Sequence, residues 1–199
     1  MIQTSSRYTK TAVFLHWMIA IFLVIMFVLG WFMADLPKDA PKQTAFDILD
    51  LGVYTWQVDT EISPRAFYFN LHKSLGITIF ALIAIRLLWR ITHKPPAFLT
   101  SYSVIERKIA TATHHLLYLL MIVIPLTGIL MSIYGKFSLN WFGIELIKGT
   151  ENKGLRDFFE GSHEFVGIIL LVLVGLHVIG ALKHKFIDKD QTLTRMTFK

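Results

Sequence analysis

Four long apolar runs dominate this chain. Each has the roughly 20 residues needed to cross a hydrocarbon layer of about 30 Å. They fall at roughly residues 12–33, 69–89, 114–134 and 163–182. Inside lipid every backbone polar group must find a partner within the span, so each run reads as a helix. The expected fold is an all-α integral membrane four-helix bundle, organised as a single domain over residues 1–199. Hydrophobic residues make up 54% of the chain, above the roughly 45–50% of soluble domains. The excess is concentrated in the four runs.

Lys and Arg near the span ends set the expected orientation. Arg7 and Lys10 precede the first run. Arg86, Arg90, Lys94, Arg107 and Lys108 surround the connection from the second to the third. Lys183, Lys185, Lys189, Arg195 and Lys199 follow the fourth. The other two connections hold most of the acids. N and C termini are therefore expected in the cytoplasm. The first run reads as a retained helix, because it is long enough to span and no small-x-small cleavage site follows it. Pro37, Pro41, Pro64 and the pair Pro95-Pro96 bound the connections, and Pro125 predicts a kink in the third span. The first outer connection is long enough for a short helix around residues 43–51. There is no Cys, which excludes disulfides, thiolate metal sites, iron–sulfur clusters and covalent haem attachment. The net charge of +6 fits cytoplasmic loops better than nucleic acid, and no nucleic-acid partner is expected.

Eight histidines are present, and an ionisable residue at membrane depth is a functional hypothesis by default. His163 and His177 are fourteen residues apart. On a helix that leaves them about 40° from a shared face and about 21 Å apart along the axis. Topology supplies each with a partner at matching depth: His16 for His177 on the inner side, His72 for His163 on the outer side. Two imidazoles on opposing helices suit axial ligation of a haem, and bundle cores house such groups. Gly76, Gly167, Gly175 and Gly180 lie near these histidines and would leave space. Zinc would want three or four close ligands, and only Glu164 adjoins any of the four. That is the poorer reading, though it stays open, as does simple interfacial packing.

Arg86 and Arg90 are candidates for holding haem propionates, or are snorkelling anchors. Lys73 stands beside His72. His184, Lys183 and His115, at the inner end, are candidates for contacting a quinone. His114 is undecided between ligand, quinone contact and interface residue, and His93 reads as an interface residue.

The ordered set of motifs resembles the bacterial di-haem cytochrome b561 family nearly end to end. It comprises His16-Trp17; His72-Lys73-Ser74-Leu75-Gly76 followed by Arg86 and Arg90; His114, Tyr118 and Pro125; His163-Glu164; Gly175-Leu176-His177; and the tail from Lys189 to Met196. The resemblance implies two non-covalent haems b, axial ligands at His16, His72, His163 and His177, and electron transfer to quinone in the bacterial inner membrane. One branch of that family oxidises superoxide to dioxygen at the periplasmic face and reduces ubiquinone. By that likeness the chain would be a superoxide:quinone oxidoreductase. Arg65, Lys73, Lys148, Lys153 and Arg156 are then candidates for drawing superoxide in. Other relatives relay electrons as cytochrome subunits of hydrogenase-type or larger respiratory complexes. A non-redox protein that transports metal or haem through its histidines is the third alternative.

Overall fold

The computed structural model describes residues 7–198. Of the polar N-terminal tail, residues 1–6 lie outside the described residues, as does Lys199. Four helices run through the molecule: α1 Lys10–Asp35, α2 Pro64–Thr92, α3 Val104–Ile133 and α4 Lys153–Phe186. All four are long and apolar enough to cross a membrane. Each is longer than its apolar run, because its start is set by a cap outside the run. The Thr9 hydroxyl accepts from the Ala12 amide. The Ser63 hydroxyl accepts from Ala66, with Pro64 at the first helical position, where its missing N–H costs nothing. Ser103 and Glu106 form a reciprocal capping box, satisfying two otherwise orphaned amides. The Asn152 side chain accepts from Leu155. α3 continues as helix through Pro125.

The two ends of the bundle are built differently. At one end, called here the terminal end, the last turn of the chain (Leu193–Met196, a 3-10 helix) is tied across the helices. Trp17 donates its indole N–H to the Met196 carbonyl at 2.7 Å. Arg195 donates to the Ala97 carbonyl at 2.8 Å, and Tyr102 and Thr192 share a hydrogen bond of 2.6 Å.

At the opposite end each connection folds as an antiparallel hairpin. In the first, β1 Gln43–Asp47 pairs with β2 Thr55–Ile62. This corrects the expected short helix at 43–51. Those residues form a strand and then a 3-10 turn at Ile48–Asp50. The cause is tertiary: Phe46 is buried and stacks on Phe67 of α2 at 4.1 Å. The Tyr68 hydroxyl donates to the Asp47 carbonyl at 2.5 Å and accepts from the Leu49 amide at 3.1 Å. In the second hairpin, β3 Leu139–Trp141 pairs with β4 Ile144–Ile147. Its two-residue turn places Phe142 and Gly143 at positive φ, the geometry that matches strand twist. The Ser74 hydroxyl accepts from the Phe142 amide, anchoring that turn to α2.

Between the two ends lies a shared apolar layer: Ile19 from α1, Ile79 and Ile83 from α2, Leu117, Leu120 and Met121 from α3, and Leu170 from α4. Outward, Ile21, Val24, Ile168 and Val172 are exposed, which in a helix apolar all round marks a membrane span.

Candidate functional site

The hairpin end holds one pair of imidazoles. His72 of α2 and His163 of α4 have ring centroids 6.3 Å apart at 80°. The His163 ring is aimed by α3: its Nδ1 lies 3.0 Å from the Ile124 carbonyl and 3.2 Å from the Thr127 hydroxyl. A carbonyl there takes the Nδ1 proton and leaves Nε2 as a lone pair, the arrangement of a metal-ligating histidine. Two glycines admit these rings. A Cβ on Gly128 would stand 3.1 Å from His163 Cε1, and one on Gly30 would stand 3.6 Å from His72 Cε1. The Nδ1 of His72 is buried with no hydrogen-bond partner, a cost that apolar packing alone does not recover.

The terminal end holds the second pair. His16 of α1 and His177 of α4 have ring centroids 6.3 Å apart at 70°. A third imidazole joins them: His114 of α3 lies 5.4 Å from the His177 ring at 72°. Two guanidinium groups of α2 gather beside this cluster at Tyr118. Arg86 Nε donates to the Tyr118 hydroxyl at 3.3 Å, and Arg90 lies over the Tyr118 ring at 5.2 Å. The Arg86 charge acts on His16, His114 and His177. At the hairpin-end pair the charge acting on His72 is that of His163, and the charge acting on His163 is that of Glu164.

The donor set can be tested against the group it would hold. Two imidazoles bound to opposite faces of one iron, through bonds of about 2 Å, put their ring centres about 6 Å apart. Both pairs stand at 6.3 Å. Space is also present. Helix α1 packs closely on α2 and α3 closely on α4, while α4 makes little backbone contact with α1 or α2. Each ring pair therefore bridges two helices that stand apart. An added Cβ on Gly167 or Gly175 of α4 would meet nothing within 4 Å. A flat macrocycle fits such a slot. Tetrahedral zinc fits less well, since it needs three or more converging ligands. Among the described residues the cluster of three such atoms within 4.8 Å is His184, Asp188 and Asp190, which contains no member of either pair.

That cluster is a latch between α4 and the tail. His184 Nδ1 lies 2.7 Å from Asp190 and 3.0 Å from Asp188, and its ring stacks on Tyr102 at 4.6 Å. Burial pushes the Tyr102 hydroxyl above its ordinary pKa. Burial also acts to raise Asp190, but hydrogen bonds from Thr192 and His184 outweigh it and hold the carboxyl below its ordinary value. Lys183 pairs with Glu106 at 3.0 Å and Asp188 at 2.7 Å. His115 is exposed on α3, and His93 stacks on Trp89. Among the basic residues of the hairpin end, Arg65 donates to the Met33, Ala34 and Leu36 carbonyls. It serves as a cap on α1, a use that sequence reasoning missed. Arg156 is paired with Asp157 and Glu160. Lys73 lies within electrostatic reach of Arg156.

The sequence model for prokaryotic cytochrome b561 matches residues 7–199. Cytochrome b561 homolog 2 of Escherichia coli (strain K12) is 35% identical over 198 residues, covering 98% of this chain and 94% of that protein. Cytochrome b561 homolog 1 of the same organism is 26% identical, covering 96% and 97%. A probable superoxide oxidase CybB of Yersinia pestis is 25% identical, covering 96% and 95%.

Proposed function

The chain belongs to the prokaryotic cytochrome b561 family, haem-binding electron-transport proteins that cross the bacterial inner membrane several times, and from that premise we propose that it holds two haems b and passes electrons from a periplasmic donor to the quinone pool. In this reading His72 and His163 hold the outer haem, and His16 and His177 the inner one, within a single domain of residues 1–199. Both termini lie in the cytoplasm, as the Lys and Arg bias favours. The observation that carries the reading is the shared 6.3 Å separation of the two ring pairs, one on each side of a common apolar layer.

A haem with two imidazole ligands has no open iron position and supplies outer-sphere, one-electron transfer. The protein does the rest. Arg86 and Arg90, donors in a fixed fork, pair with propionate carboxylates at the inner site. The apolar layer of Ile79, Ile83, Leu117 and Leu170 excludes water between the sites. Lys73, beside His72, favours an anionic donor at the outer site. Superoxide is the donor that the kinship to a protein named as a probable superoxide oxidase favours. Two superoxide anions each give up one electron and leave as dioxygen. One ubiquinone takes both electrons and two protons and leaves as quinol. His184, Lys183 and His115 stand at the cytoplasmic end as the groups that would meet the quinone carbonyls.

A second reading has its own support. Leu51, Val53 and Tyr54 at the first hairpin are strongly exposed, and such side chains suit a protein partner. The chain would then relay electrons as the cytochrome subunit of a larger complex. Membership of an electron-transport family leaves the non-redox alternative without support.

The test is a reduced-minus-oxidised spectrum of the detergent-purified protein with haem counted by pyridine haemochrome, followed by superoxide with ubiquinone present. Low-spin b-type bands with two haems per chain and quinol formation are expected. One haem or none sinks the paired-ligand reading. Two haems without reduction by superoxide leave the relay reading standing.

A further inference from the structure

Helix α3 contributes no ligand in the paired reading, yet it touches both α4 histidines. At the outer site it presents the Ile124 carbonyl and the Thr127 hydroxyl to His163 Nδ1. At the inner site the α3 group in contact with His177 is the imidazole of His114. Its 5.4 Å spacing is shorter than the 6.3 Å of either ligand pair. It is too close for His114 and His177 to stand on opposite faces of one iron, which needs about 6 Å. The two rings meet edge to face, and Tyr118 with its two guanidinium neighbours lies one turn further along α3.

We propose that His114 is the positioning residue of the inner haem, accepting the hydrogen bond of the non-ligating His177 nitrogen as Ile124 and Thr127 serve His163. The inference rests on the two-haem reading above. A ligand imidazole that donates its second N–H becomes a stronger base. It then favours the oxidised iron, so the acceptor lowers the inner reduction potential. Arg86, held at Tyr118 beside the same cluster, acts in the opposite sense, because its positive charge favours the added electron. Both sites thus place an α3 acceptor at the α4 ligand, and the inner site opposes it with the charge of Arg86; His114 is the control that acts through the ligand.

The test uses the full-length chain in detergent, by potentiometric titration and low-temperature electron paramagnetic resonance. The wild type is measured first: two haems resolved as two components establish the premise, and fewer than two reject the two-haem reading itself rather than the role of His114. His16→Leu then identifies the inner component by its loss. His114→Leu is expected to keep both haems, raise the midpoint of the inner component, move its low-spin signal and leave the outer component unchanged. His114→Gln, whose amide oxygen can accept the same hydrogen bond, is expected to return the midpoint most of the way to wild type. Three results overturn the proposal: an unmoved inner midpoint in His114→Leu, an equal shift in Leu and Gln variants, or loss of the inner haem in both. The last would make His114 a ligand. The outer component reports folding in every variant, and His114→Ala replaces the Leu variant where that does not accumulate.

Discussion

The ring of His163 stands 6.3 Å from that of His72, nearly perpendicular to it, with its Nδ1 held by the Ile124 carbonyl at 3.0 Å. One residue of the pair is therefore aimed by a neighbouring helix, while the Nδ1 of the other is buried without a partner. If this pair holds the outer haem, removing either ring should empty that site alone. His72→Leu and His163→Leu are each expected to lower the haem content from about two to about one per chain, as pyridine haemochrome measures. The remaining component keeps the potential of the inner haem. Equal loss of both components would contradict independent sites.

Gly128 stands tighter against His163 than Gly30 does against His72. A Cβ there meets His163 Cε1 at 3.1 Å, so a side chain must push the ring out of line. Gly128→Val is expected to cost about 1–3 kcal/mol through overpacking and to weaken or remove the outer haem. Gly128→Ala should move the outer component's spectrum with both haems kept. Thermal unfolding followed at the haem band, with haem counting, distinguishes the two.

Arg65 and Lys73 are both basic residues at the hairpin end, and they should behave differently. Arg65 is committed to three carbonyls at the end of α1. Arg65→Ala is expected to lower stability by about 1–3 kcal/mol with little change in the rate of reduction by superoxide. Lys73→Gln should slow that rate about threefold and flatten its dependence on ionic strength, with melting unaffected. Stopped-flow reduction at several salt concentrations reads this directly.

The latch between His184 and Asp190 makes a pH-dependent contribution. The Asp190 carboxyl is held below its ordinary value of 3.8, so the folded state favours its charged form. Its contribution is present in full above that value and is lost as pH falls through the lower folded value. Asp190→Asn is therefore expected to melt earlier than wild type at neutral pH, and the gap between the two should narrow as pH drops below about 4. A constant gap across the acid range would assign the loss to packing instead.

Hydropathy located all four helices because the thickness of lipid sets a minimum run of apolar residues. It placed their ends short, because α3 and α4 extend about ten residues beyond their runs to caps that hydropathy does not register. The first connection was misread as a short helix because its deciding contact is the stacking of Phe46 on Phe67, twenty-one residues away. The alternation in Thr55–Ile62 was the available signal for a strand. The facing of His16 with His177 and of His72 with His163 followed from spacing and chain direction alone. The approach of His114 to His177 did not, because the lateral placement of α3 against α4 depends on how Leu117, Leu120 and Leu170 interlock. The capping role of Arg65, a residue that sequence offers only as a candidate for drawing superoxide in, is hidden for the same reason: its acceptors lie at the end of a different helix.

Both ring pairs draw one member from α4, and this has a consequence for rate. The segment from His163 to His177, fourteen residue steps, forms one unbroken hydrogen-bonded helix, about 21 Å of stiff rod. In a two-haem chain the tunnelling gap is then written into covalent structure instead of being left to the packing of separate helices. Bilayers of different thickness can tilt the rod or thin around it, and the gap stays constant. Evolution can retune donor, acceptor and potential at either end without disturbing the clock between them, whereas inserting a single residue between the two histidines would swing one ring about 100° away from its partner.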